Sequence, residues 1–184
     1  MRGRGPVLLR LFVAVYPASE VARAMLGLLD EVELGEHRVT PSEQVHMTLQ
    51  FVGDTPSGKV EEVVETVRRA AGGIEGFVLQ PRRLITLPER GGARLMALET
   101  DGPPPLLELQ RRLASRLARK ARREKGDRFL PHLTLCRFRE GAQVERVDRE
   151  VEVEGFAVRE VKVVRSVLRP SGAEHAVVGS VGLG

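Results

Sequence analysis

Two short stretches of this 184-residue chain decide its fold: VHMTLQFVGD at residues 45–54 and PHLTLCRFRE at residues 131–140. Each contains a histidine, one further residue, a threonine and a leucine, the pattern H-x-T-L. The chain has four histidines, and two of them, His46 and His132, lie in this pattern. A pattern that recurs at a fixed period indicates a repeated structural element. The two copies therefore suggest that one unit occurs twice in the chain.

The elements predicted around the two motifs follow the same order. In the first half, β-branched and aromatic residues predict a strand over residues 7–15, and helical spacing predicts a helix from Ser19 to about Leu34. A strand over residues 45–52 then carries the first motif. In the second half the same order is a strand over residues 94–99, a helix built on Leu106, Leu109, Leu113 and Leu117, and a strand over residues 129–138.

Two anchors support the duplication. Arg10 and Arg94, in the paired first strands, are 84 residues apart, and His46 and His132 are 86 residues apart. We therefore predict one α+β domain spanning residues 1–184, a bilobed duplicated unit with two antiparallel sheets facing a central groove and helices on the outside. The lobes are expected at roughly residues 1–88 and 89–184, with exchange of strands between them left open.

The remaining segments are predicted more simply. Residues 60–71 show helical spacing and end at Gly72 and Gly73. Residues 77–87 predict extended structure, with Pro81 favouring an edge strand. Residues 141–150 predict a weak helix or a loop, and residues 156–166 and 174–183 predict two final strands.

Composition excludes several classes of protein. The chain has no apolar run of 18 residues, so no transmembrane helix is predicted. The N-terminal stretch MRGRGPVLLRLFVAVYP resembles a secretion signal, but Arg10 interrupts its apolar run. The single cysteine, Cys136, excludes an internal disulfide and a multi-cysteine zinc site, and we expect it to be a buried apolar group. A cytoplasmic protein without membrane association fits these observations.

Positive charge is concentrated in one segment. The net charge is +4, and eight arginines and lysines lie between Arg111 and Lys125 against one acid, Glu124. Such a run favours a polyanionic partner, although a solvated helix face is an equal alternative. Aromatic residues make up only 4% of the chain, which argues against a protein dedicated to binding single-stranded nucleic acid by stacking.

The two motifs suit general acid–base chemistry. Side chains alternate along a strand, so His46 and Thr48 share one face, as do His132 and Thr134. Two opposed imidazoles near neutral pH can accept one proton and donate another. Threonine hydroxyls can donate hydrogen bonds to an anion between them. A phosphodiester fits this arrangement without a metal; zinc ligation is a weaker alternative, because no further ligands lie at suitable spacing.

Four segments of the chain resemble one known family. RLFVAVYPASE (residues 10–20), VTPSEQVHMTLQFVGD (39–54), RFLPHLTLCRF (128–138) and VVRSVLRPSGAEHAVV (163–178) are similar to segments of the two-histidine phosphoesterases. Within these, the resemblance is to the RNA 2′,3′-cyclic phosphodiesterases, also called 2′-5′ RNA ligases. The middle of the chain departs from the family pattern, and His175 stands where an aromatic residue, commonly tyrosine, is frequent.

The resemblance implies a function and a set of site residues. It implies that a terminal 2′,3′-cyclic phosphate is hydrolysed to a 2′-phosphate, with reversible 2′-5′ ligation. His46 and His132 would be the acid–base pair, and Thr48 and Thr134 would bind the phosphate. Further substrate contacts would come from Phe51, Arg128 and Arg137. Strict alternation puts Phe51 and Arg137 on the opposite strand face, so a β-bulge or the end of the strand must intervene for them to reach the groove.

The expected partner is an RNA with a cyclic phosphate end, such as a tRNA fragment, bound by a monomer without a cofactor. Sequence does not assign the two histidine roles; we favour His132 as base and His46 as acid. Alternative activities are phosphodiester hydrolysis of another small cyclic phosphate or of a 2′-5′ oligonucleotide. A non-catalytic RNA-binding module is an alternative of a different class.

Overall fold

A computed structural model describes residues 7–118, 128–170 and 172–184. Its helices are α1 (Ser19–Leu26), α2 (Val60–Ala71) and α3 (Pro104–Leu117). Its strands are β1 (Leu8–Val15), β2 (His37–Val39), β3 (Met47–Pro56), β4 (Phe77–Leu79), β5 (Pro81–Leu87), β6 (Leu95–Thr100), β7 (His132–Phe138), β8 (Asp148–Glu150), β9 (Phe156–Val158), β10 (Glu160–Arg169) and β11 (Gly172–Gly182).

The strands form two main antiparallel sheets. Sheet A has the order β11-β10-β1-β3, and sheet B has the order β2-β7-β6-β5-β8. The pair β4-β9 forms a small separate ribbon. Two antiparallel sheets with few helices confirm the predicted α+β class. The sheets exchange strands between the sequence halves, because β10 and β11 complete sheet A while β2 and β5 belong to sheet B.

Each central strand buries one face in a shared core. In β1, Leu11, Val13 and Val15 join the main hydrophobic cluster, whereas Phe12 and Ala14 lie on the other face. Sheet B contributes buried side chains to the same cluster, and α3 adds Leu106, Leu109 and Leu113, which are fully buried. Since both sheets turn one face to this core, their other faces are left to form the groove.

Each H-x-T-L motif contains a β-bulge at its leucine. In β3, Thr48 pairs with Ala14 and Gln50 pairs with Val13, so Leu49 is the extra residue. In β7, Thr134 pairs with Ala97 and Cys136 pairs with Met96, which makes Leu135 the extra residue. A bulge changes the alternation of side chains beyond it. Gln50 and Phe51 in β3, and the residues after Leu135 in β7, therefore point to the face opposite to the one that strict alternation predicts. A second register shift at Val52 restores the original alternation in β3.

The carbonyl group freed by each bulge has its own donor. The buried side chain of Gln110, on α3, donates to the Leu49 carbonyl oxygen at 3.4 Å. The backbone amide of Thr40 donates to the Leu135 carbonyl oxygen at 2.8 Å. Buried backbone groups without partners are costly, so these two bonds stabilise the bulges.

Three sequence-based predictions about elements were wrong in part: the end of α1, the structure of residues 141–150 and the edge position of β5. Helix α1 ends at Leu26, and a short 3₁₀ turn over Gly27–Glu31 continues it, which ends the helical segment before Leu34. The segment around residues 141–150 includes strand β8, whose pairing with Arg83–Ile85 also covers the outer side of β5. Strand β5 is therefore not an edge strand, although Pro81 itself lies beyond the residues that β8 covers.

The basic segment is only partly described. Arg111 and Arg112 both bond to Glu108, at 2.8 and 2.7 Å. Arg112 also donates to the carbonyl oxygens of Ala70 and Gly72, at the end of α2. These two arginines therefore have partners within the protein. Arg119, Arg122 and Arg123, which belong to the same basic run, lie outside the described residues, so contact of this run with a polyanion stays a prediction.

Among the helices in the described part of the chain, none is both long and apolar enough to cross a bilayer.

Candidate active site

The two motif histidines are held in the same way. His46 precedes β3, and its Nδ1 donates to the carbonyl oxygen of Gln44 at 2.6 Å. His132 begins β7, and its Nδ1 donates to the carbonyl oxygen of Leu130 at 2.8 Å. In each case a carbonyl two residues earlier fixes the ring, and since a carbonyl only accepts, Nδ1 must carry hydrogen. Each neutral ring therefore keeps its lone pair on Nε2.

The motif threonines face small residues on the neighbouring strands. Thr48 lies opposite Ala14 in sheet A, and Thr134 lies opposite Ala97 in sheet B. Directly opposed residues of an antiparallel pair share one face of the sheet. A methyl group beside each hydroxyl leaves more room for an anion than a larger side chain would. Each sheet thus presents a threonine hydroxyl beside the methyl group of an alanine.

The bulges bring Phe51 and Arg137 to the groove face. Phe51 pairs with Phe12, and the two rings lie 6.4 Å apart. The Phe51 side chain is 72% exposed, so it is available to a ligand. Arg137 pairs with Leu95, and its positive charge lowers the pKa of His46 and that of His175. Of the two alternatives that the sequence left open, a β-bulge and the end of the strand, the structure has a β-bulge within each motif.

A third histidine lies in the site. His175, on β11, has its ring 5.1 Å from that of His46 and 5.0 Å from that of Phe12. The sequence predicted a surface or structural role for His175, because His175 lacks a threonine two positions on. The available signal was its place in the closing segment of the family resemblance. Strand exchange then brings β11 into the same sheet as β3, which no local pattern indicates.

Burial makes the His46 imidazole a weaker base than a solvent-exposed histidine. Its pKa falls from 6.5 to about 4, chiefly because burial disfavours the charged ring, while the hydrogen bond to Gln44 opposes the shift. The charges of His175, Arg137 and His132 add to the lowering. In the free protein at neutral pH, His46 is therefore neutral and can accept a proton at Nε2.

Two other candidates lie elsewhere. Arg128 is exposed in the segment that leads into β7, outside the strand that carries the motif. Cys136 is fully buried in the main core, and burial raises the pKa of its thiol. The bulge at Leu135 turns Cys136 away from the face of Thr134, which agrees with its predicted role as a buried apolar group.

The motif side chains are groups suited to proton transfer and anion binding. Within residues 7–118, 128–170 and 172–184, no group of three or more histidine, cysteine, aspartate or glutamate side chains is placed to hold a metal ion. The groove instead combines two imidazole Nε2 atoms, two hydroxyls and one guanidinium. This set can hold an anion and move protons on either side of it.

Comparison with known proteins gives a consistent result. A family model described as the 2′-5′ RNA ligase superfamily matches residues 18–168. An RNA 2′,3′-cyclic phosphodiesterase from Methanothermobacter thermautotrophicus is 30% identical over 71% of this chain and 73% of its own length. Another with the same name, from Thermus thermophilus, is 31% identical over 92% of this chain and 88% of its own.

Solved structures share the fold. A protein from Thermus thermophilus matches with a TM-score of 0.79 and 25% identity, over 95% of this chain and 98% of its own. Escherichia coli LigT complexed with 3′-AMP matches with a TM-score of 0.76 and 21% identity, over 96% of this chain and 99% of its own. With the family model covering most of the sequence, this chain belongs to the 2′-5′ RNA ligase superfamily.

Proposed function

We propose that this protein hydrolyses the 2′,3′-cyclic phosphate at the end of an RNA and leaves a 2′-phosphate. The observation that carries the proposal is the matched pair of histidines, each with Nδ1 bonded to a carbonyl and Nε2 left for chemistry. A cyclic phosphodiester needs a base for water and an acid for the leaving oxygen. The two rings supply both groups.

Burial and neighbouring charges favour one distribution of the two histidine roles within this proposal. His46 has a pKa of about 4 and is neutral at neutral pH, so it acts as the base. Its Nε2 takes a proton from water as the water oxygen bonds to phosphorus. The bond between phosphorus and O3′ breaks, and His132 donates a proton to O3′. This assignment reverses the preference drawn from sequence, which could not include the burial of His46.

The remaining groove residues would bind the charged part of the substrate. Thr48 and Thr134 donate hydrogen bonds to the non-bridging oxygens. Ala14 and Ala97, which lie opposite them on the neighbouring strands, leave room for the phosphate. The Arg137 guanidinium adds a positive charge that can stabilise the negative charge of the phosphate in the transition state. No step in this scheme requires a metal or a nucleotide cofactor.

The substrate class follows from the exposed aromatic group and from the relatives. Phe51 offers a ring on which a base can stack, and such stacking accepts different bases. The relatives in Methanothermobacter and Thermus are named RNA 2′,3′-cyclic phosphodiesterases. An RNA end is therefore the proposed partner. Ligation of a cyclic phosphate end to a 5′-hydroxyl is the same reaction type with an alcohol in place of water.

The test is turnover of an oligoribonucleotide that ends in a 2′,3′-cyclic phosphate. We expect a product with a 2′-phosphate and a free 3′-hydroxyl, identified by its resistance to a 3′-specific phosphatase and its sensitivity to a general one. Binding of the RNA without any turnover would instead support a non-catalytic RNA-binding module. Turnover of a small cyclic phosphate other than a nucleotide, with no action on RNA ends, would support the rival enzyme.

A further inference from the structure

Two exposed arginines lie side by side on the groove face of sheet B. Arg38, on β2, is paired directly with Arg137, on β7. The backbone amide of Arg139 donates to the Glu36 carbonyl oxygen. The two arginines are therefore the hydrogen-bonded kind of antiparallel pair, with Cα atoms about 5.5 Å apart. Since directly opposed residues share one face of a sheet, the Arg38 side chain leaves its strand on the groove side, as Arg137 does.

The Arg38 side chain reaches from sheet B to sheet A. A Cβ atom added to Gly172, at the start of β11, would lie 3.2 Å from Cζ of Arg38 and closer still to its Nη1. The guanidinium therefore packs on the Gly172 backbone, in space that a larger residue would fill. Three residues further along β11 is His175, whose ring lies 5.1 Å from that of His46. Arg38 thus crosses the groove close to the histidines.

The paired guanidiniums favour an anion. Two like charges directly opposite each other on a sheet are unfavourable, and the neighbouring carboxylates bond elsewhere. Glu36 accepts from Arg139 at 2.8 Å, and Glu174 accepts from Arg169 at 3.2 Å. An anion beside both guanidiniums would offset their repulsion. The planar fork of arginine matches the oxygens of a phosphate in particular.

Arg38 lies further from the reacting phosphate than Arg137 does. Thr134 faces Ala97 on β6, at the inner side of β7, whereas Arg38 lies on β2, at the edge of sheet B. Arg137 is between the motif threonine and Arg38. The two positive charges therefore extend from the reacting phosphate toward the sheet edge, and an anion held by Arg38 is a second one, next to the first.

We propose that Arg38, together with Arg137, binds the phosphate on O5′ of the nucleotide that carries the cyclic phosphate. In an RNA, that phosphate joins the last nucleotide to the rest of the chain, whereas a free cyclic nucleoside phosphate lacks it. The inference rests on the proposed function and narrows its substrate to nucleotides with a phosphate on both sides of the ribose. Phosphate contacts position a nucleic acid without reading its bases, so this site accepts any terminal sequence.

The test compares two substrates that differ by one phosphate: adenosine 2′,3′-cyclic phosphate and the same compound with a 5′-phosphate. In the wild type we expect the 5′-phosphate to raise kcat/KM by about 10- to 100-fold, the usual range for a charged hydrogen bond. Arg38→Met should bring the ratio of the two kcat/KM values close to one. Arg38→Lys keeps a charge but not the planar fork, so it should retain part of the ratio.

The matched control is Arg139→Met, because Arg139 is exposed and bonds to Glu36 at 2.8 Å. This variant removes one positive charge from the neighbouring part of sheet B. It should keep the wild-type ratio of the two kcat/KM values, which separates a specific contact of Arg38 from a general effect of net charge.

A binding measurement makes the test independent of turnover. Adenosine 2′-phosphate is the product of the proposed reaction, and adenosine 2′,5′-bisphosphate is that product with the second phosphate. Calorimetry should show at least roughly tenfold tighter binding of the bisphosphate by the wild type and by Arg139→Met. Arg38→Met should bind the two compounds equally. The wild-type difference should shrink as salt is added, because salt screens exposed charges.

The outcomes separate this inference from the proposed function. A wild type that treats the two cyclic substrates alike would overturn the second phosphate site. Equal losses on both substrates in Arg38→Met would also overturn it, because the contact with Gly172 would then be only structural. Failure to hydrolyse any cyclic phosphate, with a preference for the bisphosphate that Arg38→Met abolishes, would count against the proposed function and not against this site.

Discussion

At the scale of single residues, the account depends on two imidazoles that differ in their surroundings. Both have Nδ1 fixed by a carbonyl, but His46 also packs against Phe12, Tyr16 and His175. These contacts remove water from the His46 ring and lower its pKa to about 4. The two histidines share one sequence motif. Only the fold shows that they are not equivalent.

Removing either imidazole should remove most of the activity. For His46→Ala and His132→Ala we expect losses of about 10²–10⁴-fold in kcat, the usual effect of losing a positioned proton-transfer group. His37→Ala is the control, because His37 is exposed and bonds to the carbonyl of Gly35. Near-normal turnover by either motif variant would exclude the two-histidine mechanism. His175→Ala should fall between these extremes, since its ring contacts His46.

The pH dependence should report the low pKa of His46. As the pH falls, His46 keeps its lone pair until the pH approaches about 4. The acidic limb of kcat/KM, which reflects the free enzyme, should therefore lie near pH 4 and not near the ordinary histidine value of about 6.5. A limb near 6.5 in the wild type would contradict the assignment of His46 as the base.

The same shift predicts how stability changes with pH. The unfolded chain binds a proton at this histidine below about pH 6.5, whereas the folded protein does so only below about 4. Between these values the unfolded state holds more protons, so the His46 contribution to stability is lost as the pH falls through this window. Urea unfolding of the wild type and of His46→Ala at several pH values measures the difference.

At the scale of elements, the bulges at Leu49 and Leu135 decide what the motifs present to the groove. Without them Phe51 and Arg137 would lie on the core side of their strands. The two bulges occupy the same position in each motif, directly after the threonine. The two motifs thus share an irregularity of the backbone as well as a pattern of side chains.

Arg137 provides a test of this geometry. Arg137→Met keeps an unbranched apolar stem but removes the guanidinium and its charge, and we expect kcat/KM to fall by about 10- to 100-fold, the usual range for a charged hydrogen bond. Arg139→Met is the matched control, two residues further on, where the arginine is exposed and bonds to Glu36 at 2.8 Å. Equal activity of the two variants would mean that Arg137 does not contact the substrate.

Gln110 provides a test of what holds the first bulge. Gln110→Leu removes the donor to the Leu49 carbonyl and leaves that buried oxygen unpaired. We expect a loss of about 1 kcal/mol in the free energy of unfolding, together with reduced activity, because the bulge positions the residues beside His46. Gln143→Leu, at an exposed position, should change neither quantity. Unfolding in urea measures the first effect.

The sequence predicted many of the strands and helices, but it missed the bulges, strand β8 and the position of His175. The central strands and helices follow from periodicity, as in β1, α2 and α3. The bulges leave no local pattern, although the need for them followed from Phe51 and Arg137. Strand β8 is too short to be recognised by composition. The place of His175 depends on pairing between distant strands, and its register with Ser166 cannot be read from spacing.

At the scale of the whole molecule, the two motif strands occupy similar places in the two sheets, and strand exchange between the sequence halves makes the ends of the sheets differ. Sheet A receives two long strands from the end of the chain, and sheet B receives the short strands β2 and β8 at its edges. The two motifs therefore present matching side chains, whereas their surroundings differ: the His46 ring packs against Phe12, Tyr16 and His175, and the His132 face of sheet B carries the ion pairs of Arg83 with Glu99 and Asp148.

The central claim is metal-independent hydrolysis of a cyclic phosphate by the two histidines. The most direct measurement is the rate and end-group product for an RNA ending in a 2′,3′-cyclic phosphate, in excess chelator and without added nucleotide. The account predicts an undiminished rate and a 2′-phosphate product, with the activity absent from His46→Ala and His132→Ala. Loss of activity in chelator that one divalent ion restores, or a 3′-phosphate product, would contradict it.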